Sequence, residues 1–311
     1  MTDRYRQHDG DSPCDLSDIR PGDWVDRLLP SGWRSYARLA RLDRPVGIWL
    51  TLFPCLAALI QASHGIPTCC QVTVFSLGAL LMRSAGSTFN DIADRKFDAY
   101  VERTRFRPLA SGQLLTHQAI AFLVVEVAFA ASLLIFLKPL TRLAAICMLP
   151  IVFIYPFCKR FTHWPQAVLG AAFNWGMLMA WAEVADDIPT GAIVMWIGAI
   201  AWQIGYDTVY AYVDVKGDTS IGLKSTAILF GEKGKTCIGL FYVFTVASWS
   251  VGGWLLGMSP PYFVGMALIA LHLGWQTWCI DLQRPEVSFG LFLTNVLTGL
   301  LLTCAALLGN C

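Results

Sequence analysis

Apolar runs of about twenty residues, the length that crosses a bilayer as a helix, return along nearly the whole chain. Their approximate bounds are 44–62, 70–89, 117–136, 140–157, 165–183, 189–213, 236–257, 260–279 and 288–308. Inside hydrocarbon a helix satisfies every backbone N–H and C=O within itself, whereas a lipid-facing strand edge finds no water to bond. The expectation is therefore an all-α, polytopic membrane protein with about nine transmembrane helices. Composition bears on this directly. Of the 311 residues 14% are charged and 55% hydrophobic, against about 25% charged in a soluble domain, and the mean hydropathy is +0.52.

Charge orients such a bundle. One set of loop ends carries Arg34, Arg38, Arg41, Arg44, Arg107, Lys159, Arg160, Lys224, Lys235 and Arg284. The opposite set carries Lys138 and Arg142 beside Glu183, Asp186 and Asp187. The positive-inside rule places the first set, and the N-terminus with it, in the cytoplasm. Residues 1–33 form a polar extension holding Asp3, Asp9, Asp11, Asp15, Asp18, Asp23 and Asp26, and residues 34–311 form one transmembrane domain. The acids suit neither a mitochondrial transit peptide nor a secretory signal. The ten Cys show no metal or redox spacing; Cys55, Cys147, Cys237 and Cys304 stand in apolar runs and read as buried thiols. The net charge of +1 does not itself identify a partner, and no nucleic-acid partner is expected.

Two polar stretches interrupt the pattern on the cytoplasmic side. The first, NDIADRKFDAYVERTRFRPLASG, carries Asn90, Asp91, Asp94 and Asp98. If the preceding helix continues through it, the three acids share about 60° of arc. The second, YDTVYAYVDVKGD, carries Asp207, Asp214 and Asp218, which a continuous helix would hold within about 40°. A single acidic stripe reads equally well as a solvated loop face. Two at matching depth on one side read as a site, because carboxylates at a membrane edge are costly. Mg²⁺ relieves their repulsion, binding through one or two carboxylates and the oxygens of a phosphate substrate. Bases surround both stripes: Arg103, Arg105 and Arg107 after the first, Lys224 after the second, Lys159 and Arg160 between. Arg83, inside an apolar run, either snorkels to the interface or serves charge balance or phosphate binding.

These residues carry a resemblance. RLDRPVGIWL, RSAGSTFNDIADRKFDAYVERTRFRPLASG, YPFCKRFTHWPQAVLGAAFNWG and DTVYAYVDVKGDTSIGLKSTAILFG resemble the UbiA-type intramembrane prenyltransferases over residues 34–305, most like those that act on 4-hydroxybenzoate in ubiquinone synthesis. The resemblance implies a bundle of nine spans around a central cavity in a bacterial inner membrane, with the site facing the cytoplasm. It implies transfer of a polyprenyl group from its diphosphate to the ring carbon ortho to the hydroxyl of 4-hydroxybenzoate. Asp91, Asp94, Asp98, Asp207, Asp214 and Asp218 would hold Mg²⁺. Asn90, Arg105, Arg107 and Lys224 would bind the diphosphate, and Arg160 or Arg44 the acceptor carboxylate. Tyr155 and Asn174 would orient the ring or hydrogen-bond between helices. The sequence departs from the pattern at Val215, Lys216 and Gly217, where relatives commonly carry further acids.

A transporter and a noncatalytic scaffold are the competing classes. A transporter sets its charges near the midplane, whereas these sit at helix ends. Paired stripes have no purpose in a scaffold. Prenyl chain length and oligomeric state are not written in the sequence.

Overall fold

A computed structural model describes residue 19, residues 22–101 and residues 103–310, with all their side chains except those of 216, 285 and 286. The acids Asp3, Asp9, Asp11, Asp15 and Asp18 and the side chain of Lys216 thus lie outside the described residues. The α-helices are α1 (Trp24–Leu28), α2 (Ser31–Leu39), α3 (Val46–Ala62), α4 (Cys69–Asp98), α5 (Thr116–Leu133), α6 (Pro139–Phe161) and α7 (Pro165–Phe173). They continue with α8 (Gly176–Ala185), α9 (Thr190–Ala211), α10 (Val215–Ser220), α11 (Thr226–Phe230), α12 (Gly234–Leu255), α13 (Pro260–Cys279) and α14 (Pro285–Leu308). Among the described residues no strand forms.

Every expected apolar segment is helical. Among the described residues seven helical stretches are long and apolar enough to cross a membrane. α3 is shorter, at 17 residues, and α13, whose run includes His272 and Gln276, is not among the seven. The expected single helix over 165–183 is two, α7 and α8, parted at Asn174 and Trp175. α2 runs across the boundary drawn at residue 33, and its Leu39 packs with Leu114 and Ala119. Arg38 ties this segment together through Asp26 at 2.7 Å and Asp23 at 3.5 Å.

Packing follows the logic of a membrane bundle, in which small residues let helices approach and polar side chains bond across them. α9 lies at the centre, against α12, α7 and α14. A Cβ on Gly205 would come 2.3 Å from the Tyr242 ring, and one on Gly252 would come 2.3 Å from Met195, so α9 and α12 touch through glycine. Trp202 Nε1 donates to Asn295 at 2.8 Å, and Asn295 and Tyr242 both donate to Gln276 Oε1, at 3.2 and 3.0 Å. This buried network fixes the rotation of α9, α12, α13 and α14 together. The outer surface is apolar instead: Val124, Phe129, Phe153, Val243, Val264 and Leu271 are exposed. In α5 the charged Glu126 turns inward and accepts from Ser84 of α4. The eight described cysteines are free; Cys55 and Cys158 are buried, but Cys147 and Cys304 are exposed, contrary to the buried reading.

Of the bases grouped by charge, Arg41, Arg44, Arg107, Lys159 and Lys224 line one cavity. Lys138 and Glu183 meet at the other end, where the Glu183 carboxylate accepts from Lys138 N at 2.9 Å and Thr141 Oγ1 at 2.8 Å, capping α6.

Candidate active site

The cavity, about 610 Å³, is enclosed by α3, α4, α6, α7, α9, α10 and α14. α4 forms one wall. It continues nine residues past the apolar run, and there its three acids, Asp91, Asp94 and Asp98, are buried while Lys96 is exposed. Arg83, Ser87, Asn90, Asp94 and Asp98 all line the cavity, spaced three and four apart on one helical face. Asp94 is fully buried and Lys159 Nζ lies 2.5 Å from its Oδ2. Asp98 accepts from Arg107 at 3.1 Å.

The facing wall does not have the expected continuous helix. α9 ends at Ala211, Asp214 stands at the N-cap of α10, and Asp218 lies within α10. Arg103 causes or fixes the break: its Nε lies 2.9 Å from Asp214 Oδ1, its Nη2 lies 2.7 Å from Oδ2, and its Nη1 lies 2.6 Å from the Tyr210 hydroxyl. The Asp214 side chain makes no cap hydrogen bond; Arg103 holds it. Asp207, Asp214 and Asp218 nonetheless all line the same cavity.

Cations stand between the walls. Arg41, Arg44, Arg103, Arg107, Lys159 and Lys224 line the cavity at its polar end. Lys224 is held by its N–H to Lys159 O at 2.8 Å and its Nζ to Phe161 O at 3.2 Å. Deeper on α4, Arg83 donates to Ser87 and lies 5.0 Å from the Phe173 ring centroid, and its Nε is buried with no hydrogen-bond partner. Gly47, in the first turn of α3, permits this position, since a Cβ there would lie 2.4 Å from Arg83 Nε.

Of the residues picked from sequence, Asn90, Asp94, Asp98, Asp207, Asp214, Asp218, Arg44, Arg107, Lys224 and Tyr155 share the cavity, and Asp91, Arg105, Arg160 and Asn174 do not. Asp91 is fully buried, behind the lining of the cavity. Arg105 is exposed, over the Phe106 ring. Arg160 is exposed, donating to Ala93 O at 3.0 Å and lying over Phe97 and Phe157, with Asp94 3.7 Å away. Asn174 bonds Gly170 O at 2.9 Å and Ala199 O at 3.4 Å, the interhelical alternative. The sequence reading passed over Arg41, Arg103 and Lys159 as ligands. One signal was available: in a loop of successive turns, Arg103 and Arg107 face one way and Arg105 the other.

The donor set suits a hard divalent cation. Among the described residues no group of three or more His, Cys, Asp or Glu is placed to hold an ion unaided. The acids stand on two walls, as suits ions that take one or two protein carboxylates each and complete their shells with phosphate oxygens. Asp207 and Asp218 have no ion-pair partner among the described residues. Burial, then the nearby Asp214 carboxylate, lifts Asp218 to about 6. If Asp218 is a metal ligand, a proton competes with the metal for it as pH falls below that value, and the competition vanishes above it. The Mg²⁺ concentration for half-maximal activity is expected to rise several-fold between pH 7.5 and 5.5. Metal titrations of the wild type and Asp218→Asn at both pH values check this; an equal rise in the variant removes Asp218 as the cause.

Carboxylates and cations gathered in one cavity of an all-helical, multi-pass membrane bundle define an intramembrane enzyme for a multiply charged anion. The match to known proteins is specific: the family model for the UbiA prenyltransferase family covers residues 51–308, and the chain belongs to that family. It is 40% identical over 275 residues to the 4-hydroxybenzoate octaprenyltransferase of Hydrogenovibrio crunogenus, covering 88% of this chain and 96% of that one. It is 35% identical over 295 residues to the mitochondrial 4-hydroxybenzoate polyprenyltransferase of Arabidopsis thaliana, covering 94% of this chain and 72% of that one. Among solved structures, the apo UbiA homolog from Aeropyrum pernix K1 superposes with a TM-score of 0.71 at 25% identity, over 83% of this chain and 96% of that one. A UbiA homolog from Archaeoglobus fulgidus, bound to GPP and Mg²⁺, shares the fold with a TM-score of 0.68 at 20% identity, over 88% of this chain and 98% of that one.

Proposed function

We propose that this chain transfers the prenyl group of a polyprenyl diphosphate to the ring carbon ortho to the hydroxyl of 4-hydroxybenzoate, a Mg²⁺-dependent step of ubiquinone biosynthesis. The observation that carries the reading is one cavity with two chemical zones. Acids and bases crowd its polar end, while Leu50, Met82, Val152, Leu169, Phe292 and Leu293 line the remainder. The names of the relatives support the acceptor, and the ligands of the Archaeoglobus neighbour support the donor and the metal. The protein sits in a bacterial inner membrane with the polar end facing the cytoplasm, by the charge of its loops.

Asn90, Asp94 and Asp98 on one wall and Asp207, Asp214 and Asp218 on the other would hold Mg²⁺. Bound there, the metal supplies neutralising charge to the diphosphate as the allylic C–O bond breaks. Arg103, Arg107, Lys159 and Lys224 add donors to the same oxygens, and these cost little reorganisation because carboxylates and carbonyls already hold them. The apolar zone keeps water from the allylic cation and takes the prenyl chain. The acceptor presents its ortho carbon from the deeper side, its carboxylate on Arg83, with Tyr155 on the cavity wall beside it. The ring proton leaves to diphosphate or to a cavity Asp.

Membranes containing the chain, given polyprenyl diphosphate, Mg²⁺ and a panel of labelled aromatic acids, are expected to prenylate 4-hydroxybenzoate. EDTA should stop the reaction and Mg²⁺ restore it. No product from 4-hydroxybenzoate overturns the acceptor; undiminished product in EDTA overturns the metal.

A further inference from the structure

One acid of the first stripe lies behind the cavity lining, tied to two arginines that belong to it. Asp91 is 0% exposed. Its Oδ1 accepts from Arg41 Nη2 at 2.6 Å and lies 3.2 Å from Arg107 Nη1. Arg107 Nη1 also reaches Asp98 Oδ2 at 3.1 Å. Both arginines line the cavity, though Asp91 does not. They come from separate parts of the chain, Arg41 from the α2–α3 turn and Arg107 from the α4–α5 loop.

The backbone adds a second observation. Arg41 has φ of +59°, the left-handed region that a non-glycine residue occupies at a cost. Such a conformation persists where its surroundings over-determine it. Here the turn hydrogen-bonds Arg41 N to Arg38 O at 3.1 Å, and the side chain ends on Asp91. Two guanidinium groups this close repel each other unless an anion lies between them. Asp91 supplies that anion from behind the lining, and Asp98 meets Arg107 from within it. The second oxygen, Oδ2, is buried with no hydrogen-bond partner, and it is the position of Asp91 outside the cavity lining that sets it apart from Asp94 and Asp98.

We propose that Asp91 is a positioning residue: it presets Arg41 and Arg107 for the substrate diphosphate and takes no part in holding metal. The proposal rests on the prenyl-transfer reading. Donors ordered before the substrate arrives need no ordering at binding, so losing Asp91 weakens diphosphate affinity more than any other step.

Purified wild type, Asp91→Asn and Asp94→Asn are compared in three measurements. Mn²⁺ binding with inorganic diphosphate, followed by electron paramagnetic resonance, should give the same number of ions in Asp91→Asn as in wild type, with affinity changed less than about twofold. Affinity for inorganic diphosphate should fall about tenfold or more, as for loss of an ordered charge-assisted contact. In turnover, KM for the prenyl diphosphate should rise by a similar factor while KM for the acceptor stays put, and Asp91→Glu should recover part of the loss. A missing Mn²⁺ in Asp91→Asn, or a metal affinity as weak as that of Asp94→Asn, overturns the proposal. Should Asp91→Asn fail to fold, Arg41→Lys decides, since it keeps the charge and loses the fork. It should raise the diphosphate KM without changing Mn²⁺ binding, and an unchanged KM overturns the proposal. Absence of wild-type product sinks the functional reading alone, because the Mn²⁺ and diphosphate measurements still judge Asp91.

Discussion

Asp94→Asn is expected to lower kcat for prenyl transfer by about 10³-fold, the scale of removing a principal electrostatic group from a preorganised site, while leaving the bundle folded. Asn keeps the shape of the side chain, so no void opens in α4. Two facts make the loss specific to chemistry. Asp94 lines the cavity at the centre of the α4 face, between Asn90 and Asp98. Its partner Lys159 is 27% exposed at 2.5 Å, so an orphaned ammonium can be hydrated from the cavity and folding loses little. The rival explanation is that Asp94 only neutralises Lys159. The double variant Asp94→Asn with Lys159→Met separates the two. Because Lys159 also donates to the diphosphate in the proposed function, Mn²⁺ binding is the readout: it returns to the wild-type level in the double variant if neutralisation is the whole role, and it stays weak in both variants if Asp94 holds metal. Thermal unfolding in detergent checks the fold. Substantial turnover by Asp94→Asn in saturating Mg²⁺ would sink the two-walled metal site.

Hydrocarbon imposes so simple a rule that the helices were legible from the apolar runs, yet their ends were not. The run before Asn90 stops at Phe89 because polarity begins there, but α4 continues to Asp98. Hydropathy scores polarity as exposure, and here the polar side chains point at each other. The break between α9 and α10 had no local sign either. Asp214 is held by Arg103, 111 residues away in sequence, and no window along the chain contains both. The same cause explains the mixed success among the bases. Loop composition placed Arg103, Arg105 and Arg107 together, but only the coiling of the loop separates the two that face inward from the one over Phe106. Asp91 differs again. The helical arc it shares with Asp94 and Asp98 suggested a shared role, whereas Arg41 and Arg107, brought in from two other turns of the chain, cover it.

Arg83→Met is expected to raise KM for 4-hydroxybenzoate by about 100-fold, the scale of removing one partner of a desolvated charge pair, with KM for the prenyl diphosphate changed less than about twofold. The argument starts from depth. Arg83 stands two turns below Asn90 on the cavity face of α4, and its Nε has no hydrogen-bond partner. Arg160 is exposed and stacked on two Phe rings, so Arg160→Ala should change either KM by no more than a few-fold. Gly47→Ala offers an independent route to the same effect, because the added methyl would lie 2.4 Å from Arg83 Nε and must displace the guanidinium. It should raise the acceptor KM while leaving every charge in place. An acceptor analogue without a carboxylate closes the logic. If Arg83 acts through that carboxylate, wild type and Arg83→Met use the analogue equally poorly, since the interaction is already gone. Equal losses for both substrates in Arg83→Met, or an acceptor-specific loss in Arg160→Ala, would move the acceptor out of the deep zone and toward the cavity mouth.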